Sequence, residues 1–336
     1  MNDWAEFRHF KYLLAIVEHK GFRAAAEQLH TAQPNLSAQA KQFQDQSAIQ
    51  LFRKTKDGRI RLTETGIAFK PIAQGLLDAR DEAIAALIAI ERREIKAFRF
   101  GCTSLIEQGL FHTCCQMHKE IMPHCPILPT HGDIQQLEEE LANGEIDAAL
   151  VTLPVINPHL CVEVIRKDRL VVCLRRDHPL AAKHIFQPCD LQNNLTILYH
   201  PERHYHAHQR ARECLKEIGL TVEHYSRANH PSELRELVKQ GYGFALVREG
   251  SKIDDELTTR PVASADWAVN IAVIYNRQSH PKTIPVLVRH LKRHLACPQN
   301  NETPTELVGK PQSHNHLGKR HSRSIDRGSE QLSLLG

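Results

Sequence analysis

The spacing of apolar residues changes once along this chain, near Phe98, and that change constrains the fold more than any other feature. Before it, apolar residues recur every three or four positions, as in amphipathic helices; after it, short apolar runs alternate with helical stretches. A chain of 336 residues with 41% hydrophobic side chains can build more than one core, so the two patterns predict separate domains.

In the first pattern, Phe7, Phe10, Leu13, Leu14 and Val17 mark a helix that Gly21 ends. A short helix over Arg23–His30 follows, with Ala24, Ala25, Ala26 and Leu29 small enough for close packing. Pro34 then sits where a first-turn proline belongs, and Leu36, Ala40 and Phe43 form the inner stripe of a third helix ending near Gln46. Two helices joined by about three residues read as helix-turn-helix. Past Ile49, Leu51 and Phe52, the run KTKDGRIRLT places Asp57-Gly58 between β-compatible residues, which predicts a hairpin, or wing. From Thr65 to Lys96 apolar residues approach heptad spacing, with Pro71 and Gly75 as the only interruptions. A lone helix of that length has no core of its own, so pairing with a second copy is expected through Ile72, Leu76, Ala79, Ala83, Leu87 and Ile90.

In the second pattern FRFGC, PILPT, IDAALVT, LVVCL, LTILYH, TVEHYS, GFALV and VNIAVIY read as strands. Helices are expected near 104–120, 133–143, 203–218, 231–240 and 282–295. Repeated β-α-β order predicts parallel sheets covered by helices, and the length suits two lobes around a cleft, with VNIAVIY returning to the first. The fold class is therefore α+β multidomain. Residues 1–66 form a winged helix-turn-helix, 67–96 a linker and dimerisation helix, and 97–297 a two-lobed α/β domain like the periplasmic binding proteins. Residues 298–336, rich in Asn, Ser, His, Gly and charge, are expected to be a disordered polar tail.

Several function classes fall away. The longest apolar run, Ala83–Ile90, is far short of the roughly 18 residues a membrane span needs. The opening MNDWAEFRHF carries acids where a signal peptide would be apolar, so a cytoplasmic protein without membrane contact is expected. Nine cysteines, at 102, 114, 115, 125, 161, 173, 189, 214 and 297, are odd in number and form no CxxC pair, which argues against a secreted disulfide frame or a cysteine zinc site. GxSxG, GxGxxG after a strand, P-loop and HExxH motifs are all missing, so neither an enzyme nor a cofactor is expected.

Charge indicates a partner. The whole net charge of +4 resides in residues 1–70, and within them Arg53, Lys54, Lys56, Arg59 and Arg61 surround the single acid Asp57. A basic patch of this kind beside a helix-turn-helix suits a polyanion, namely double-stranded DNA. With Leu36, Ala40 and Phe43 inward, Pro34, Ser37, Ala38 and Lys41 lie on the opposite face, and Gln33 and Asn35 occupy the first turn. Gln and Asn can pair with adenine, Ser with base or phosphate, and Lys with phosphate, while the wing cations would add sequence-blind affinity. Taken alone, the same residues also describe a solvated helix face.

The run FKYLLAIVEHKGFRAAAEQLHTAQPNLSAQAKQFQ, followed by IQLFRKTKDGRIRLTETG, resembles the N-terminal domain of LysR-type transcriptional regulators. NGEIDAALVT and KQGYGFALV look like that family's two-lobed effector-binding domain, so the resemblance reaches about residue 295. It implies a dimeric or tetrameric regulator acting with RNA polymerase, in which a small-molecule effector in the cleft alters operator contacts and bending. Departures from the family pattern are Gln44 for Glu, Ser47-Ala48 for Leu-Gly, Lys54 for Arg, Ala38 where Arg often meets DNA, and Asp57 near a usual wing cation.

The resemblance further implies that the cleft is lined at the junction after FRFG, by Cys102, Thr103 and Ser104 at a helix N-terminus suited to a carboxylate. Thr130, His131 and Gly132 would form a second loop, and Tyr199, His200 and Arg203 the contribution of the other lobe. An aromatic or other organic acid is the expected effector. Two rival inducers are written in the chain. His204 and His208, four apart with His200 and His206 nearby, have a spacing compatible with a metal sensor. Cys189 and Cys214 could form a thiol switch. A rival of another class is a cytoplasmic small-molecule binder that has lost its operator.

Overall fold

The structure, a computed structural model, describes residues 4–55 and 60–296. The expected disordered tail lies outside them.

Three helices open the chain, α1 (Phe7–His19), α2 (Phe22–Gln28) and α3 (Gln33–Ser47), with Pro34 in the first turn of α3. The short strands β1 (Phe52–Lys54) and β2 (Ile60–Leu62) pair antiparallel as the two sides of a wing, and α4 (Glu64–Glu91) follows. Leu13, Ile16, Ala25, Leu36, Ala40 and Leu51 are buried together in the core of this unit. Around Phe43 the rings of Trp4 and Phe10 stand edge-on, at centroid distances of 5.3 and 5.5 Å. Phe69, Ala73 and Leu77 of α4 complete the same core, so the linker helix is fused to the winged helix by packing as well as by the chain.

The LTETG run that joins wing to linker has a physical explanation. Thr63 caps α4: its hydroxyl accepts from the Gly66 N–H at 3.0 Å and donates to the Gln50 carbonyl at 2.6 Å. Gly66 lies so close to the wing that a Cβ there would stand 1.9 Å from the Leu51 carbonyl oxygen, which only glycine permits. Pro71 and Gly75 break the apolar spacing but not the helix: α4 runs unbroken for 28 residues with Pro71 inside it, starting at Glu64 and ending at Glu91, a little before the expected 67–96 at both ends. Ile72, Leu76, Ala83, Leu87 and Ile90 are exposed along it, Ile72 at 64% and Leu87 at 67%, and Ala79 is half-buried. Ala86 and Ala89, by contrast, are buried.

The first lobe begins with β3 (Phe98–Thr103), α5 (Gln108–Ile121), β4 (Ile127–Gly132), α6 (Ile134–Asn143) and β5 (Ala148–Thr152). Gly144 closes α6 at φ 70°, as its position predicts. The 16-residue β6 (Leu160–Arg175) leads out of this lobe into the second. There follow a single 3-10 turn at Pro179–Ala182, α7 (Pro188–Leu191), β7 (Ile197–Tyr199), α8 (Tyr205–Glu217) and β8 (Ser226–Ala228). α9 (Pro231–Lys239), β9 (Ala245–Arg248) and β10 (Leu257–Arg260) complete the second lobe. β11 (Ala268–Asn276) then returns to the first, as VNIAVIY predicts, and α10 (Ile284–Ala296) closes it.

Strand order in the first lobe is β4-β3-β5-β11-β6 and in the second β6-β9-β7-β8, with β10 on the other side of β6. β3, β4 and β5 are parallel, as are β7, β8 and β9, but β11 and β6 run antiparallel to their neighbours. Each lobe is thus mixed rather than purely parallel, because β6, the strand shared by both lobes, runs antiparallel to every strand it pairs with. TVEHYS is not a strand in full; its only paired residue is Ser226, the start of β8. The change of lobe falls at two adjacent points, where the Leu170 N–H donates to the Trp267 carbonyl at 2.8 Å.

Candidate functional site

Two surfaces carry the sequence candidates. The first is the outer face of α3. With Leu36, Ala40 and Phe43 buried, Gln33, Pro34, Asn35, Ala38 and Lys41 are exposed and Ser37 is half-buried. No side chain caps this helix; Pro34 has no N–H and the Leu36 N–H donates to the Ala32 carbonyl at 3.2 Å, so the helix N-terminus offers the Gln33 and Asn35 N–H groups, with the partial positive charge that favours phosphate. On the wing, register pairs Arg53 directly with Arg61, and both are exposed. Two cations opposed across a strand pair repel one another unless an anion lies between or beside them. Lys54 opposes Ile60 on the same strand pair, while Lys56 and Arg59 lie outside the described residues.

Two of the departures from the family pattern have visible local consequences. The Gln44 side-chain oxygen accepts from the Leu51 N–H at 2.9 Å, tying α3 to the wing, a role that needs an acceptor but no charge. Ala48 ends α3 in the left-handed conformation, φ 56° and ψ 26°, where glycine is the unstrained residue.

The second surface is the cleft between the lobes. A cavity of about 440 Å³ lies across the hinge and is lined from both sides. The first lobe contributes Ser104, Glu107, Gln108 and Thr152, the last at the carboxyl end of β5. The second contributes Tyr199, Arg210, Arg235 and Arg248, together with the apolar Leu198, Leu234 and Leu246. A neighbouring cavity of about 290 Å³ is lined by Thr103, Asp133 and Glu138 from one side and Arg203, His204 and His206 from the other. Such volumes suit a small molecule held by a few polar groups on apolar walls.

Charged side chains bridge the hinge. On β6, Arg166 pairs with Asp168 at 2.7 Å and reaches Glu107 at 3.5 Å. Arg248, at the end of β9, stands 3.5 Å from the same Asp168. That approach is an ion pair without hydrogen-bond geometry, so the Arg248 Nη1 is buried with no hydrogen-bond partner among the described residues. Burial pushes the Tyr199 hydroxyl up to about 12, with Arg248 and Arg235 opposing the shift.

Of the cleft residues expected from the sequence, Thr103, Ser104, Tyr199 and Arg203 line one cavity or the other. Cys102 does not. It packs in the core of the first lobe with Phe98, Phe100 and Leu110, because its side chain alternates inward along β3. Thr130, His131 and Gly132 also miss both cavities; they finish β4, and the loop that lines the smaller cavity begins one residue later at Asp133. His200 stays outside as well, its Nδ1 accepting from the Glu202 N–H at 3.3 Å. The helix that follows β3 starts at Gln108, several residues beyond the expected point, which moves the helix N-terminus from Ser104 to Glu107–Gly109. Glu107, Thr152, Arg210, Arg235 and Arg248 are additions that sequence reasoning missed. The rule that ligands gather at the carboxyl ends of strands would have found Thr152 and Arg248.

The histidine and cysteine patterns are employed otherwise. His204 Nε2 lies 2.7 Å from the Asn229 carbonyl, and the buried His208 Nδ1 lies 2.9 Å from the Tyr199 carbonyl. Among the described residues no three His, Cys, Asp or Glu side chains converge to hold a metal ion. Cys189 is exposed while Cys214 is buried, both as free thiols, and burial pushes Cys214 up to about 12. Among the described residues, no helix is long and apolar enough to cross a membrane.

A winged helix-turn-helix fused through a long helix to a two-lobed domain with an open cleft defines a DNA-binding regulator with an effector-binding domain. Comparison with known proteins agrees. Residues 7–67 match the bacterial regulatory helix-turn-helix protein, lysR family, and residues 92–296 match the LysR substrate binding domain. The HTH-type transcriptional regulator BudR of Raoultella terrigena is 24% identical over 83% of this chain and 97% of its own. The Hca operon transcriptional activator HcaR of Escherichia coli is 31% identical over 52% of this chain and 59% of its own. Full-length CbnR, solved with its target DNA, shares the fold at a TM-score of 0.53 and 19% identity, covering 87% of this chain and all of that one. The chain belongs to the LysR family of transcriptional regulators and is not an enzyme.

Proposed function

We propose that this regulator pairs with itself through α4, as a dimer or a tetramer, and binds an inverted-repeat operator in the cytoplasm. A small organic acid in the interlobe cavity would change its contacts with that DNA, or the DNA bend, and so its action on RNA polymerase. One observation carries the reading: the larger cavity is lined by cationic side chains and straddles the hinge, so an anion inside it touches both lobes at once. A ligand that contacts both lobes stabilises one arrangement of them, and that difference in affinity is what shifts the population. Among the described residues the metal and thiol readings have no comparable arrangement of side chains.

On the DNA side, Gln33, Asn35 and Ser37 are the base readers, and Pro34 and Ala38 set how closely α3 approaches. Lys41, Arg53, Lys54, Lys56, Arg59 and Arg61 contact phosphate. That the solved CbnR structure is of a complex with target DNA, on the same fold, supports this use of α3. Pairing along the exposed apolar stripe of α4 gives the operator its two-fold symmetry.

Footprinting on the intergenic DNA beside the gene, with and without benzoate or short dicarboxylates, tests both halves. A protected inverted repeat whose footprint shortens or loses its bend with one acid is the expected result. Protection that no acid alters would remove the effector half, and no protection at moderate salt would remove the operator half. Gln33→Ala should relax base preference with little change in salt dependence, whereas Arg61→Gln should weaken specific and random DNA alike. Equal losses on both DNAs for Gln33→Ala would remove its role as reader.

A further inference from the structure

The inner wall of the larger cavity holds more positive charge than the protein itself neutralises. Four cations line the cavity, Arg210, Arg235, Arg248 and Lys252, against one carboxylate, Glu107. Arg210 is occupied by Glu217 at 3.0 Å and Glu213 at 3.5 Å, and Glu107 faces Arg166 at 3.5 Å. Arg248, only 16% exposed, shares Asp168 with the closer Arg166 and retains an unsatisfied Nη1. Arg235 is half-buried on α9 and makes no hydrogen bond or close ion pair among the described residues; the carboxylate it acts on at longer range, Asp254, is already held by Lys239 at 2.9 Å. Across from them Thr152, at 5% exposed, has no partner for its hydroxyl. The Arg248 Nη1 and the Thr152 hydroxyl, beside Leu198, Leu234 and Leu246, are costly to leave as they are, because each is buried without a hydrogen-bond partner, and Arg235 adds a further positive charge to the same wall.

We infer that Arg235, Arg248, Tyr199 and Thr152 form a subsite for a second anionic group, so that the effector is a small dianion, a dicarboxylate or a phosphorylated acid, with its other anionic end near Ser104 and Gln108. This rests on the reading of the cavity as the effector site and adds what that reading leaves open, the charge of the ligand. A monocarboxylate in this cavity would answer one end and leave the arginines of the other without an anion. A dianion satisfies both ends and draws Arg248 on the second lobe toward groups of the first, which makes closure depend on the second charge.

The test is calorimetric titration of the full-length protein with succinate, glutarate and phosphoglycolate, each against butyrate and benzoate. The wild-type protein should bind at least one dianion about tenfold or more tightly than either monoanion, the scale of one charge-assisted hydrogen-bonded pair. Phosphoglycolate against succinate and glutarate separates the phosphate source from the carboxylate one. Arg235→Gln should abolish that preference, and Thr152→Val should weaken dianion binding in the same direction. Because Arg235 makes no hydrogen bond or close ion pair and Asp254 keeps Lys239, its removal should leave the melting temperature of the ligand-free protein largely unchanged, unlike the loss of a structural cation. Monoanions binding as tightly as dianions, or a dianion preference that survives Arg235→Gln, overturns the subsite and leaves the effector cavity standing. No binding of either class to the wild-type protein overturns both.

Discussion

Ala48 holds a left-handed backbone that a Cβ disfavours, at the point where α3 turns toward the wing. Relieving it is a direct test of local strain: Ala48→Gly should stabilise the winged helix by about 1 kcal/mol, seen as a higher midpoint in chemical denaturation. The opposite case is Gly66. With the Leu51 carbonyl 1.9 Å from the site of a Cβ, Gly66→Ala must displace the wing from α4. DNA binding should be lost while the effector domain still melts normally, and retention of full operator affinity would show that the wing can yield. Burial also decides the thiols. Cys102, Cys114, Cys173 and Cys214 are pushed up to about 12, so in native protein at pH 8 they should resist a thiol reagent that labels the exposed Cys189, and all should react after unfolding.

At the scale of elements, three histidines packed inside helices or against strands tie stability to pH. Burial lowers the pKa of His118, His208 and His280 below the ordinary 6.5, so on acidification the unfolded chain takes up protons first. Stability from these groups is complete above about 6.5 and declines below it. The denaturation midpoint should therefore fall between pH 7.5 and 5.5, and His118→Gln should flatten that slope; a midpoint independent of pH would contradict their burial as neutral rings. Elements whose residues interact locally were legible in the chain: α1 to α3 from 3.6-residue spacing and Pro34, α6 from its closing Gly144, α4 from its heptads. The first half of β6 was not. CVEVIRKDR reads as a charged surface stretch because Val162 and Val164 are exposed and Arg166 and Asp168 serve the hinge, so burial alternates there and becomes continuous only from Val171. The cleft escaped for a related reason. Glu107, Thr152, Arg235 and Arg248 come from four separate segments, and nothing in local spacing records that the topology gathers them.

Across the whole molecule, the linker helix touches the effector domain through charge. Glu82 of α4 pairs with Arg289 of α10, and α10 in turn pairs through Lys292 with Glu163 of β6 and through His290 with Glu120 of α5, the last at 2.9 Å. A chain of contacts therefore runs from the strand that forms the hinge to the helix that carries the DNA reader. Arg289→Gln should leave effector affinity unchanged but reduce the change in footprint that the effector causes, and an unaltered footprint response would show that coupling passes elsewhere. The hinge itself has a consequence for how such a molecule can be rebuilt. The second lobe leaves and rejoins the first at neighbouring residues, joined by the hydrogen bond from Leu170 to Trp267. Residues 170–267 are thus topologically a cassette, inserted between two adjoining points of a host that supplies its own core. Exchange of that cassette for the corresponding segment of a relative would alter which chemical signal is heard without disturbing which DNA is read.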